Sequence, residues 1–195
     1  MVITVVFLIL TVVSVIALIR LLGGSAFYLF LRRRGKAKPK QLNSLQKTAV
    51  FLVIVLILNG GLVALSQVTA FTPPIVDEKG NTPKDSIAEL REIELNGRKQ
   101  WISLRGWDIN APVLLFLAGG PGGTQMAAVR HELAELEKHF VVVNWDQPGS
   151  GKSYYAEKIE AITPQTYIED GYALTAYLKE RFGQEKIYLM GESWG

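Results

Sequence analysis

The last nine residues, Ile187-Tyr188-Leu189-Met190-Gly191-Glu192-Ser193-Trp194-Gly195, run from a short apolar stretch into the pattern GxSxG. That spacing suits a serine on a cramped strand-to-helix turn, where flanking glycines remove colliding Cβ atoms and the hydroxyl is raised clear of the sheet. Ser193 is therefore the candidate nucleophile. A second stretch, Ala118-Gly119-Gly120-Pro121-Gly122-Gly123, follows an apolar run at 113–117. A loop of this kind can turn backbone N–H groups toward a developing oxyanion. Gly119 and Gly120 are the candidate donors, paired with the N–H of Trp194. Glycines also serve a tight turn by themselves, but beside the serine pattern the oxyanion role is favoured. The chemistry would be acyl transfer from a peptide, amide or ester through an acyl-enzyme on Ser193, with no metal or organic cofactor.

Gly149-Ser150-Gly151-Lys152-Ser153 looks like the tail of a phosphate-binding loop, GxxxxGK followed by Ser or Thr. Asp146 stands where its first glycine belongs, and a carboxylate there opposes phosphate charge, so nucleotide binding is disfavoured. The histidines, His131 and His139, precede the nucleophile. Where GxSxG supplies the nucleophile the order is serine, acid, histidine, so both are expected on a helix surface. The sequence stops two residues after Ser193, before any acid and base could follow. The expectation is a truncated serine hydrolase, inactive by itself, because an unassisted serine hydroxyl is a weak nucleophile near neutral pH.

The elements that must hold these residues are legible from periodicity. Ile87–Leu95 and Arg98–Arg105 flank Asn96-Gly97, a pair that supplies positive φ for a two-residue hairpin turn. Continuous apolar runs follow at Val113–Ala118, Phe140–Trp145 and Ile187–Met190, as in strands buried on both faces of a parallel sheet. Between the first two, Val129, Leu133, Leu136 and Phe140 recur at helical spacing, with Thr124 placed to cap the helix. Between the second and third, Thr163 and Pro164 open a helix whose apolar face is Tyr167, Leu174, Leu178 and Phe182, and Gly183 closes it. The fold class is α/β, an antiparallel hairpin followed by parallel strands with intervening helices.

Three blocks together resemble the α/β-hydrolases of the proline iminopeptidase type, a family of serine aminopeptidases. They are Gly119-Gly120-Pro121-Gly122, Asp146-Gln147-Pro148-Gly149-Ser150-Gly151-Lys152-Ser153, and Gly191-Glu192-Ser193-Trp194-Gly195. The family pattern reads HGGPG, DQRGSGxS and GGSWG in that order. The resemblance covers roughly Ser86 to Gly195, the N-terminal half of the family's catalytic domain. It implies Ser193 as nucleophile, Trp194 and Gly119 or Gly120 as oxyanion donors, and Asp146–Ser153 as a bracing loop. Ala118 replaces the family's histidine, Pro148 its arginine and Glu192 a glycine, which puts narrow iminopeptidase specificity in question. An esterase of the same fold is the alternative, as is an inactive membrane-anchored remnant or binding module.

Composition adds the setting. The chain has 195 residues and no cysteine, which removes disulfide scaffolds, thiolate metal sites and cysteine nucleophiles. Val2–Ile19 and Ala49–Val68 carry no charge, and at about 1.5 Å per residue each reaches about 27 to 30 Å, enough to cross a bilayer core. Between them lie Arg32, Arg33, Arg34, Lys36, Lys38, Lys40 and Lys47, with no acid. Removing those seven and Arg20 from the 21 basic residues leaves 13 against 18 acids, so the remainder carries about −5. The organisation expected is a first membrane segment at 1–31, a basic cytoplasmic loop at 32–47 and a second membrane helix at 48–68. A linker at 69–85 and a partial hydrolase domain at 86–195 complete it. The positive-inside bias puts the hydrolase part outside the cytoplasm, anchored in the cell membrane by two helices. The basic run is expected to meet anionic lipid head groups and not nucleic acid. A cleaved signal at Gly24-Ser25-Ala26 is a weaker alternative, since no basic region precedes the apolar run. Asn59 within the second span should seek a hydrogen-bonding partner.

Overall fold

The computed structural model describes residues 2–195 and divides into two compact units, Met1–Ala70 and Phe71–Gly195. In the first, α1 (Val2–Arg33) and α2 (Pro39–Val68) pair as a hairpin. Among the described residues these two helices are long and apolar enough to cross a membrane. α1 continues unbroken through Gly23 and Gly24. At Gly24 a Cβ would lie 2.7 Å from Leu45 Cδ2, so the glycine lets the helices close up. α2 begins at Pro39, inside the basic stretch, with proline in its first turn where a missing N–H costs nothing. Asn59 Nδ2 donates to Thr11 Oγ1 at 3.4 Å across the pair.

The second unit is an α/β structure built on a five-stranded mixed sheet in the order β1-β2-β4-β3-β5. β1 (Ile87–Leu95) and β2 (Arg98–Gly106) form the expected hairpin, with Asn96 at φ 49° and Gly97 at φ 79°. β2 also pairs antiparallel with β4 (Val141–Asp146), which runs parallel to β3 (Val113–Leu117), and β3 runs parallel to β5 (Tyr188–Gly191). Alternation along the central strands serves both faces. Val113, Leu115, Val141, Val143 and Trp145 pack on one side with Leu174 and Leu178 of α4 (Pro164–Phe182). Phe116 and Val142 pack on the other with Val129 of α3 (Met126–Glu132).

α4 has the expected ends, with Thr163 Oγ1 accepting from the Thr166 N–H and Gly183 left-handed at φ 61°. Three expectations are corrected. Thr124 does not cap a helix, because its hydroxyl donates to the Asp146 carboxylate instead. The helix foreseen toward Phe140 divides into α3 and a 3-10 turn at Ala134–Lys138, which still brings Leu136 and Phe140 onto the Val129 cluster. β5 is not buried on both faces: it forms the sheet edge, and Leu189 is 61% exposed. The segment before β1 has no helix or strand, yet Ile75 is buried. Arg105 donates both to Thr72 Oγ1 at 2.7 Å and to the Pro73 carbonyl, and pairs with Glu137 at 2.7 Å.

Candidate active site

β3, β4 and β5 are parallel neighbours, so the loops leaving their C-terminal ends emerge along one edge, where ligands of open α/β sheets sit. β5 turns at once. The Gly195 N–H donates to the Glu192 carbonyl at 2.9 Å, and between them Ser193 is held at φ 53°. For a residue with a Cβ this left-handed conformation costs on the order of 1 to 3 kcal/mol, which the neighbours must impose. A Cβ at Gly191 would strike the Gly195 carbonyl, and one at Gly195 would strike the Leu117 carbonyl. Both flanking glycines are thus sterically required. Ser193 is exposed, and its hydroxyl makes no hydrogen bond among the described residues.

The loop after β3 approaches this turn closely. A Cβ at Gly119 would lie 3.4 Å from Ser193 Cβ and 3.2 Å from the Glu192 carbonyl. Gly120 adopts φ 149°, and its peptide to Pro121 is cis. The Gly119 N–H donates to Gln125 Oε1 at 3.1 Å, and Gln125 Nε2 donates in turn to the Glu192 carboxylate. Of the two loop amides named from sequence, Gly120 is the one with no bond among the described residues, and the Trp194 N–H likewise has none.

The loop after β4 is a brace. Asp146, 2% exposed, accepts from Thr124 at the end of the glycine loop and from the Lys152 N–H at 2.8 Å. Burial pushes its carboxyl above the ordinary aspartate value, with those two bonds and the Lys152 charge pulling the other way. Gly151, at φ 46°, leaves room for that carboxylate, since a Cβ there would collide with it. A phosphate cradle is ruled out for the same reason: the Asp146 carboxylate fills it, and Lys152 Nζ lies 4.3 Å over the Trp101 ring. Ser150 Oγ donates to the Gln147 carbonyl at 2.7 Å, and Ser153 Oγ accepts from the Trp101 N–H at 2.8 Å.

Two apolar hollows adjoin Trp194, the residue after the serine. One, of about 460 Å³, lies between α4 and the sheet and includes Leu117, Ile168, Tyr172 and Leu189. The other, of about 310 Å³, lies between Pro121 and Ile162. Tyr167 and Trp194 line both, with ring centroids 5.9 Å apart edge to face. Burial raises the Tyr167 hydroxyl pKa, and that hydroxyl donates to the Pro148 carbonyl at 3.3 Å. His131 has an 86% exposed side chain paired with Glu132, and His139 is exposed, so both lie on the surface as expected. Among the described residues no group of three or more His, Asp or Glu could hold a metal. Sequence reasoning missed Gln125 and its link to Glu192. Nothing local marks a glutamine that acts on a residue so distant in the chain.

No family model matches the chain. A Bacillus subtilis (strain 168) protein named "Probable aminopeptidase YbaC" is 44% identical over 114 residues, 57% of this chain and 36% of that protein. A proline iminopeptidase of Clostridioides difficile (strain 630) is 34% identical over 83 residues, 42% of this chain and 26% of its own length. Among solved structures, a proline iminopeptidase-related protein of Thermus thermophilus has a TM-score of 0.44 and 25% identity, covering 54% of this chain and 36% of its own. The chain thus spans between 26% and 36% of the length of these relatives. By its curated relatives and the three loops at one sheet edge, the chain is related to the α/β-hydrolases of the proline iminopeptidase type.

Proposed function

We propose that this chain carries the nucleophile and oxyanion loop of a membrane-anchored serine hydrolase, an aminopeptidase in class, whose acid and base belong to a longer form of the protein. The observation that carries the reading is the strained, exposed Ser193 beside Gly119, together with Gly120 and Trp194 amides that bond nothing among the described residues. Ser193 Oγ attacks the substrate carbonyl, its proton passes to a general base, and the carbonyl oxygen takes up negative charge facing those two amides. Collapse of that intermediate expels the amine and leaves an acyl-serine that water hydrolyses. The names of the curated relatives support peptide substrates. Charge asymmetry supports a bilayer anchor with the basic turn on the cytoplasmic side and the hydrolase unit outside.

The test is labelling by a fluorophosphonate probe. A product extended through an acid and a histidine should label, and Ser193→Ala should lose both labelling and turnover, the latter on the order of a millionfold. The 195-residue chain should label no faster than its Ser193→Ala form. An extended product that labels equally with and without Ser193 overturns the assignment. Turnover of amino-acid anilides against simple esters then separates peptidase from esterase.

A further inference from the structure

The helical hairpin carries a groove of about 370 Å³ whose lining includes Ile16 and Arg20 of α1 and Ser44, Lys47, Thr48 and Phe51 of α2. Neither of its two cations has an ion-pair partner among the described residues, and the unit Met1–Ala70 contains no acidic residue. The register explains why they meet. From the Gly24–Leu45 contact, moving away from the connecting turn, Arg20 lies about 6 Å along α1 and Lys47 about 3 Å along α2. The two charges therefore sit within about 3 Å of one level. Beyond that level Val2–Ile19 and Ala49–Val68 are both free of charge. Ile16 and Phe51 lie one turn into the charge-free side. Thr48 Oγ1 donates to the Ser44 carbonyl at 3.0 Å, whereas Ser44 Oγ has no bond among the described residues and can donate outward.

The groove is thus graded along the helix axes, with two cations and a free hydroxyl at one end and an apolar floor at the other. We propose that it binds an anionic phospholipid, the phosphate between Arg20 and Lys47 and the first part of an acyl chain along Ile16 and Phe51. The site rests on the reading that α1 and α2 span a bilayer. Two neighbouring positive charges with no acidic residue in their own unit favour a lipid of net negative charge over a zwitterionic one. The apolar end gives a soluble phosphate nothing to cover.

The experiment uses the full chain reconstituted into phosphatidylcholine vesicles containing a minor share of phosphatidylglycerol. Flotation with the vesicles and retained helical circular dichroism report insertion, and native mass spectrometry after mild detergent extraction reports the lipid kept. Wild type should keep phosphatidylglycerol in preference to phosphatidylcholine. R20Q/K47Q should float equally but hold phosphatidylglycerol about 30-fold more weakly, at about fivefold per charge. R32Q/R33Q/R34Q, which removes three charges outside the groove, should stay within about twofold of wild type. A floating R20Q/K47Q chain that keeps phosphatidylglycerol as wild type does overturns the site and leaves the bilayer reading intact. A wild-type chain without lipid preference does the same. Displacement of the lipid by inorganic phosphate, but not by chloride at equal ionic strength, overturns the lipid assignment. A chain that fails to float overturns the bilayer reading and the site with it.

Discussion

Asp146 ends a strand in which every residue is buried, and its carboxyl is pushed upward by loss of water more than Thr124, the Lys152 amide and the Lys152 charge hold it down. A folded-state pKa above the unfolded one means that the folded chain binds the proton more tightly. The group favours folding fully at pH below the unfolded value, and that contribution is lost as pH rises through the folded one. Asp146→Asn keeps an oxygen to accept from Thr124 without the charge. Its stability relative to wild type should therefore be more favourable at neutral pH than near the ordinary aspartate value of 3.8. Urea titrations of the full chain in detergent at the two pH values measure this, and a difference that stays constant or reverses contradicts the burial argument. The pattern Asp146–Ser153 is legible as a brace through resemblance. Gln125 is not, since its role arises only when the turn at Glu192 is placed against it.

At the scale of elements, a buried carboxylate ties the hairpin to α4, alongside the Arg181–Glu89 pair at 2.8 Å. Asp170, 0% exposed, receives Arg98 Nη2 at 2.6 Å, Arg98 Nε at 3.0 Å, Asn96 Nδ2 at 2.8 Å and Gln100 Nε2 at 2.6 Å. Gln100 also accepts from the Trp145 indole at 2.8 Å, so the same knot reaches the centre of the sheet. Removing the carboxylate leaves the buried Gln100 amide without its acceptor and Arg98 with only Glu157, at 4.0 Å. Asp170→Ala should cost about 3 to 5 kcal/mol in chemical denaturation followed by tryptophan fluorescence. Elements whose signals are local are legible: Asn96-Gly97 names its turn, and Thr163, Pro164 and Gly183 name both ends of α4. The helix after the glycine loop is misplaced from sequence because Thr124 answers to Asp146, a partner 22 residues away. The buried pattern read for β5 comes from its apolar sequence, which says nothing about which strand lies at an edge.

For the whole molecule, charge and apolar surface are divided between the units. The charged side chains of the N-terminal unit are all basic, and every acid lies in the C-terminal one. The C-terminal unit shows an edge strand with Tyr188 and Leu189 more than half exposed, a surface prone to pairing with another copy. Leu189→Lys should reduce self-association on size exclusion while shifting unfolding by no more than about 0.5 kcal/mol. Unchanged association would show that the edge is not the contact.

β3 precedes both of its neighbours in the chain yet lies between them in the sheet. During synthesis the glycine loop therefore leaves the ribosome attached to a strand with neither flank in place, and docking of β4 brings Asp146 against Thr124. Of the three loops, the one that bears the serine is made after the other two, so it docks beside a glycine loop that the nascent chain has already braced.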